Sequence, residues 1–296
     1  MYQFIVNPVA GNGKGKVVWE KTKKILHNKN KEYKVSFTKQ ENNMEDIFST
    51  FEKDNEIKTI IIIGGDGTLH LAINHGLLEI GIPIGVIPAG SGNDFARTMK
   101  IPTKYEEALE RIFKNKATSI DILSIGDRSC MNAVGIGFDA EVAEKTNRSK
   151  MKRLLNIVKL GHLSYILVAL RMFFSYTPSH VTVTLDNKRK VIENVWLVAV
   201  ANSPYYGGGL KICPAAKNDD GKLNICLVSG KSRLELIPLF YKVFKGAHSN
   251  HPNVTMLKGK KVQIECGKPL NMQGDGESLG TTPTEITIIP RALNIL

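Results

Sequence analysis

Apolar positions over the first 120 or so residues fall into short runs separated by longer periodic stretches. Phe4-Ile5-Val6 is a compact apolar run, followed by a glycine-rich turn and a helical stretch at about 17–27. Residues 33–38 alternate as a half-buried strand does, and 43–53 suits a helix. Thr59-Ile60-Ile61-Ile62-Ile63 is a continuous β-branched run, the pattern of a strand covered on both faces. Residues 67–79 read as a helix, Ile84-Gly85-Val86-Ile87 as a second covered strand, and 94–99 and 105–114 as further helices. Strand–helix alternation of this kind demands right-handed crossovers and a mostly parallel sheet.

The pattern changes after Ser119. Residues 130–137, 181–185, 195–201, 223–228, 261–266 and 285–289 read as short strands between turns, with hairpin-type connections at Asp186-Asn187 and Cys266-Gly267-Lys268-Pro269. Residues 150–176 read as a helix-forming insert. The expected fold is therefore α/β plus all-β. A Rossmann-like parallel-sheet domain occupies residues 1–122, and an antiparallel β-sandwich occupies 123–285.

Composition narrows the partners. Forty Lys and Arg stand against 28 Asp and Glu, a net charge of +12. Such a balance favours nucleic acid, anionic lipid or phosphorylated metabolites. Zinc-finger, RNP and basic-zipper patterns are absent, so nucleic acid is not expected. The four cysteines show no CxxC spacing and read as core thiols, not as a zinc site or disulfide framework. The first residues lack the character of a signal peptide. The longest apolar stretch, 163–176, is interrupted by Arg171 and is too short to span a bilayer. The expectation is a cytoplasmic protein that touches a membrane without crossing it.

The strongest chemical signal is Gly64-Gly65-Asp66-Gly67-Thr68, directly after the isoleucine strand and directly before a helix. A loop leaving the carboxyl end of a parallel strand lies over the crevice where ligands bind. Glycines let backbone N–H groups approach phosphate oxygens, and a helix start adds donors. Thr68 can hydrogen-bond an oxygen, and Asp66 can hold a metal directly or through water. Two further loops follow neighbouring strands: Asn7-Pro8-Val9-Ala10-Gly11-Asn12-Gly13-Lys14-Gly15-Lys16 and Ala89-Gly90-Ser91-Gly92-Asn93-Asp94-Phe95-Ala96-Arg97. The first is neither a Walker A loop nor GxGxxG. Each alone is ordinary turn chemistry; three on one sheet edge point to a phosphate-bearing ligand.

These three segments resemble the diacylglycerol kinase catalytic domain, and more narrowly the soluble bacterial lipid kinases of the YegS and DgkB type. The resemblance extends to Gly135-Ile136-Gly137-Phe138-Asp139-Ala140, Asn218-Asp219-Asp220-Gly221-Lys222 and Gly274-Asp275-Gly276-Glu277, and so spans nearly the whole chain. Gly-Gly-Asp-Gly-Thr is shared with NAD kinases, and phosphofructokinases carry a close variant. The Gly-Ser-Gly-Asn-Asp-Phe segment and the late Asp-Gly-Glu narrow the match.

The resemblance implies a nucleotide-binding α/β unit and a β-sandwich that shapes the lipid cleft, with the chain end, about 286–296, returning to the first domain. It implies ATP phosphates against Asn7, Pro8, Val9, Ala10 and Gly11 and against Gly64, Gly65, Asp66, Gly67 and Thr68. Thr38 and Ser91 would lie near the nucleotide. Asp66, Asp94 and Asp121 would hold the catalytic Mg²⁺ through waters, balanced by Arg97. Glu277 would be the general base and Asp275 its partner, although the residues alone read as a surface turn. Asp220, with the carbonyls of Lys217 and Lys222, would form a structural Mg²⁺ site, or else an ordinary Asp/Gly turn. The glycine-loop lysine of relatives has no one-to-one match here, because three extra residues intervene before Lys14 or Lys16. Gly135-x-Gly137-x-x-Ala140 formally fits a dinucleotide fingerprint but lacks the βαβ context and reads as a strand-end turn.

The basic and apolar mixture at 150–155, with Phe173-Phe174, suits either an anionic membrane or a helix packed on the sandwich. Tyr205-Tyr206 and the glycines after them suit either the cleft or the core. The seven histidines are scattered, with no nucleophile or ligand partner in view. The resulting expectation is an ATP- and Mg-dependent lipid kinase that phosphorylates a lipid hydroxyl, that of diacylglycerol first, to give phosphatidic acid. The alternatives are a soluble small-molecule kinase of NAD-kinase type and a catalytically inactive nucleotide- or lipid-binding module. A homodimer stays open.

Overall fold

A computed structural model describes residues 1–38, 44–49, 56–148 and 161–296. Two compact units divide the chain, Met1–Asp121 with Pro290–Leu296, and Ile122–Ile289. The expected helix at 43–53 and the basic stretch at 150–155 lie partly or wholly outside the described residues.

In the first unit, β1 (Tyr2–Val6), β2 (Tyr33–Phe37), β3 (Thr59–Gly64) and β4 (Ile84–Pro88) are parallel, in the order β2-β1-β3-β4. The returning chain end places Ile295 beside Ile84. Ile60, Ile61, Ile62 and Ile63 are all 0% exposed, as a strand covered on both faces requires. On one side α1 (Ala10–Asn28) lays Val18, Trp19 and Leu26 on the sheet, with the Phe4 and Trp19 rings 5.3 Å apart. Beside α1 runs α6 (Tyr105–Phe113), which buries Ala108, Leu109 and Ile112. Between β1 and β2 the order steps one way, and between β3 and β4 it steps the other. With right-handed crossovers, the connecting helices leave on opposite faces, so a crevice opens between the carboxyl ends of β1 and β3.

The helix expected at 67–79 is not continuous. Asp66–Ala72 (α3) gives way to a π-helical turn, Ile73–Leu77, and then to Leu78–Ile80 (α4). His75 and Gly76 leave helical geometry there, where Gly76 meets the Phe48 ring of α2 (Met44–Ser49). The short α5 (Asp94–Thr98) follows β4.

In the second unit the strands are antiparallel. They are β6 (Arg128–Cys130), β7 (Ala133–Gly137), β8 (Ser179–Leu185), β9 (Lys188–Ala201), β10 (Leu223–Ser229), β11 (Val254–Gly259), β12 (Lys261–Cys266), β13 (Asn271–Gly274), β14 (Glu277–Thr281) and most of β15 (Thr284–Ile295). The path runs β14-β13-β7-β9-β8-β12-β15, and β10 joins β9 to β11. β5 (Thr118–Ile125) enters from the first unit and pairs with β6. The long β9 organises the layers. Its first half pairs with β8, and its second half lies between β7 and β10. Val198 and Val200 face a strand-lined core with Val134, Ile225, Val262 and Ile286. Ala199 and Ala201 face a second core with Phe173, Trp196, Leu236 and Leu239, supplied partly by helices. Those helices are α8 (Gly161–Ser175) and α9 (Arg233–Lys245), while α7 (Phe138–Arg148) follows β7.

The all-β expectation holds, with local differences. The strand expected at 130–137 is broken at Met131-Asn132, whose N–H groups donate to the Asp275 carboxylate instead of to a ladder. Cys266–Pro269 closes no hairpin: β12 pairs with β8 and β15, and β13 pairs with β7 and β14. Asp186-Asn187 does close the β8–β9 hairpin, with φ of 46° and 70°. The four cysteines are free, three of them buried. Among the described residues, no helix is long and apolar enough to cross a membrane.

Phe4 is fully buried against Trp19 and Tyr33. Phe4→Ala is expected to destabilise the first unit by about 3–5 kcal/mol in denaturant unfolding. A loss below about 1 kcal/mol would contradict this packing.

Candidate functional site

The turns leaving β1, β3 and β4 meet. The Asn7 side-chain amide donates to Thr68 Oγ1 at 2.9 Å, and the Ala89 N–H donates to the Gly64 carbonyl at 2.7 Å. A Cβ on Gly65 would stand 2.7 Å from the Gly90 Cα, and one on Gly90 would stand 2.5 Å from the Gly65 Cα. A Cβ on Gly11 would collide with the Ala89 carbonyl. Gly11, Asn12 and Gly13 are left-handed, with φ of 56°, 57° and 89°, so the regular part of α1 begins only after them. Bare glycine backbone forms the closest approaches between the turns, and the side chains of Asn7, Thr68 and Asp66 tie them together.

Asp66 ties the second turn to the third. Its carboxylate accepts the N–H groups of Asp94 and Phe95, both at 3.0 Å, and so caps α5. Asp94 is 4% exposed and pairs with Arg97, whose other nitrogen donates to the Gly92 carbonyl at 3.3 Å. Asn93 pins the turn by accepting from the Gly90 N–H at 3.0 Å and donating to its carbonyl at 2.7 Å. Ser91 is exposed at the tip, and the Thr38 N–H donates to the Val6 carbonyl at the end of β2. Asp121 is buried and accepts the Arg291 N–H at 2.9 Å. The structure thus joins Asp66 and Asp94 directly, whereas Asp121 is held by the returning segment. All three groups are carboxylates, the hard oxygen donors that a hydrated Mg²⁺ takes through waters.

In the second unit Asp275 and Gly276 form the two-residue turn between β13 and β14, with φ of 51° and 97°. The Asp275 carboxylate accepts the N–H groups of Met131 at 2.7 Å, Asn132 at 2.9 Å and Ala133 at 3.3 Å. Glu277 opens β14 and is exposed. Beneath the turn, the Gly276 N–H donates to Gln273 Oε1 at 2.8 Å, and Gln273 Nε2 donates to Asp139 Oδ2 at 3.1 Å. Gly135 has no side chain because one would strike the Asp139 carboxylate. The Gly135-x-Gly137 pattern therefore seats a buried acid. Burial raises the Asp139 carboxyl to about 6, against hydrogen bonds from Gln273 and Tyr206 that lower it. Sequence reasoning passed over Asp139 and Gln273; the acid directly after Gly-x-Gly-Phe was the available signal.

At the Asn218–Lys222 turn, Asp220 accepts the Lys222 N–H at 3.1 Å and pairs with Lys258 at 2.6 Å. An ammonium already stands at this carboxylate, so a divalent ion held by Asp220 and the carbonyls of Lys217 and Lys222 would share it with Lys258 or displace that side chain. The oxygen donors fit Mg²⁺; the lysine was not foreseen.

Residues 1–125 match the diacylglycerol kinase catalytic domain, and 132–296 match the YegS C-terminal NAD kinase beta sandwich-like domain. YtlR of Bacillus subtilis strain 168, which carries a provisional lipid-kinase name, is 31% identical over 99% of this chain and 98% of its own. A diacylglycerol kinase of Mycobacterium tuberculosis H37Rv is 33% identical over 80% of this chain and 76% of its own. A crystal structure of a diacylglycerol kinase from Bacillus anthracis Sterne superposes with a TM-score of 0.73 at 24% identity, covering 99% of this chain and 95% of that one; it shows the shared fold.

Burial lifts Asp139 above its ordinary 3.8, so the neutral form carries no penalty at low pH, and a cost grows as pH rises through about 6. Asp139→Asn is expected to be more stable than the native chain at pH 8, by on the order of 2–3 kcal/mol. The gap should close below about pH 4. Unfolding temperature against pH for both proteins checks it; a gap independent of pH would refute the buried charge.

Proposed function

The chain belongs to the lipid-kinase family that joins a diacylglycerol kinase catalytic domain to a YegS-type C-terminal domain, and we propose that it transfers the γ-phosphoryl group of ATP to a lipid hydroxyl, converting diacylglycerol to phosphatidic acid. The observation that carries this reading is the closure of three turns over the carboxyl ends of β1, β3 and β4, through bare glycine backbone and the Asn7–Thr68 side-chain bond. Backbone donors of Asn7–Gly11 and Gly64–Thr68 would hold the phosphates, with the hydroxyls of Thr38 and Ser91 at the nucleotide. Asp66, Asp94 and Asp121 would hold a hydrated Mg²⁺, which when bound neutralises charge on the transferring group, and Arg97 offsets the acidic cluster.

Glu277 takes the proton from the acceptor hydroxyl as that oxygen bonds to the γ-phosphorus, and the bond to the β-phosphate oxygen breaks to release ADP. Asp275, which accepts three backbone N–H groups, would be its partner by fixing the turn that presents Glu277. Asp220 with Lys217 and Lys222 would take a structural Mg²⁺. Because diacylglycerol resides in a bilayer, the reading includes peripheral contact with an anionic membrane.

The purified protein, given labelled ATP and diacylglycerol in mixed micelles, is expected to yield labelled phosphatidic acid. Phosphorylation of a water-soluble alcohol alone, with none from any lipid alcohol, would sink the reading. Glu277→Gln should lower kcat by roughly 10²–10⁴-fold while ATP still binds. Gly90→Ala, which forces a methyl onto the Gly65 backbone, should weaken binding of a fluorescent ATP analogue by at least about tenfold. Unchanged affinity would show that the turns are not the phosphate site.

A further inference from the structure

Helix α9 carries apolar residues on its covered side and on a second, uncovered side. Leu236 and Leu239 are 3% and 9% exposed, and Phe240 packs its ring 5.1 Å from that of Phe173. On the opposite side Leu234 is 74% exposed, Ile237 47%, Tyr241 67% and Phe244 53%. Their positions, i, i+3, i+7 and i+10, form one stripe along the helix. Single exposed apolar residues need no explanation, but a continuous stripe of four large ones marks a surface that meets something. The neighbouring α8 adds to it. The carbonyls of its Phe173 and of Tyr176, just past its end, accept from Arg233 at 3.2 and 3.0 Å, and its Leu170 and Phe174 are 46% and 69% exposed.

The charge along this helix and just before it is mostly positive. Lys231, Arg233, Lys242 and Lys245 accompany a single acid, Glu235, which accepts a hydrogen bond from the Asn253 amide at 3.1 Å. Lys245 stands 5.2 Å over the Tyr241 ring, placing an aromatic and a cation together as at a membrane–water boundary. An apolar stripe flanked by basic residues, on a chain of net charge +12, is complementary to a bilayer rich in anionic headgroups.

We propose that α9 is the membrane-docking face of this protein, lying flat with Leu234, Ile237, Tyr241 and Phe244 in the acyl boundary and its lysines among anionic headgroups. This rests on the lipid-kinase reading, because a bilayer substrate is what gives such a face its use. At 13 residues the helix would cover roughly 20 Å of surface.

The test uses the full chain and a Leu234→Ser/Phe244→Ser variant. Both sites are exposed, so the unfolding temperature should not change. The native protein is expected to sediment with phosphatidylglycerol vesicles and much less with phosphatidylcholine vesicles. The variant's bound fraction should fall about tenfold or more. Activity of the variant on a short-chain diacylglycerol dissolved as monomers should match the native value. Binding by the variant equal to that of the native protein overturns the proposal. So does a native dimer in vesicle-free solution that the variant turns into a monomer, since that gives the face to a second copy. A native protein that binds vesicles through this stripe but phosphorylates no lipid alcohol upholds the docking face and removes the kinase reading.

Discussion

The structure of the first unit depends on one close approach: the Gly65 and Gly90 backbones stand so near that neither tolerates a Cβ. Parallel strands bring successive loops to one edge of a sheet, but they do not by themselves bring those loops into contact. Contact requires that the turns carry no side chains on their facing sides, and that something bind them together. Asp66 supplies the second requirement by capping α5 from the neighbouring turn, and Asn7 does so by reaching Thr68. The result is a surface of backbone groups held by short bonds. Such a surface meets a phosphate without the reorganisation cost that a set of long side chains would carry.

The second unit solves a related problem by a different device. A two-residue turn in left-handed geometry presents Glu277, and a β-branched or bulky residue at either turn position would be strained. The turn is secured from two directions. Asp275 clamps the broken strand at Met131–Ala133, and Gly276 hangs from Gln273, which in turn rests on Asp139. Burying Asp139 costs stability at neutral pH, and the hydrogen bonds it accepts only partly offset the cost. A fold that retains such a group places a charged acceptor beneath a turn whose geometry matters more than the local free energy.

Where a residue's neighbours in the chain decide its environment, the sequence was legible. The isoleucine run of β3 and the apolar β4 are strands because no other element buries that pattern on both faces, and the loops after them followed by topology alone. Distant partners were not legible. The interruption at Met131-Asn132 is imposed by a carboxylate more than 140 residues away, and no local signal marks it. The failed hairpin at Cys266–Pro269 has the composition of a turn, but the partner strands are chosen by the sheet, not by the turn. Helix α9 was missed for a third reason. It is apolar on both sides and carries Pro238, so it shows neither the stripe of an amphipathic helix nor the alternation of a strand.

A helix lacking amphipathic contrast would ordinarily belong in a core, and an exposed apolar stripe ordinarily invites self-association. Here the surrounding charge alters the balance. A net charge of +12 makes copies of the chain repel one another at long range, while the same charge draws the protein toward an anionic surface. At short range the stripe would then contribute affinity that charge alone would lose as salt rises. The two terms select for the same partner, one that is negative at a distance and apolar on contact. A nucleic acid meets only the first condition and a second copy only the second, whereas an anionic bilayer meets both.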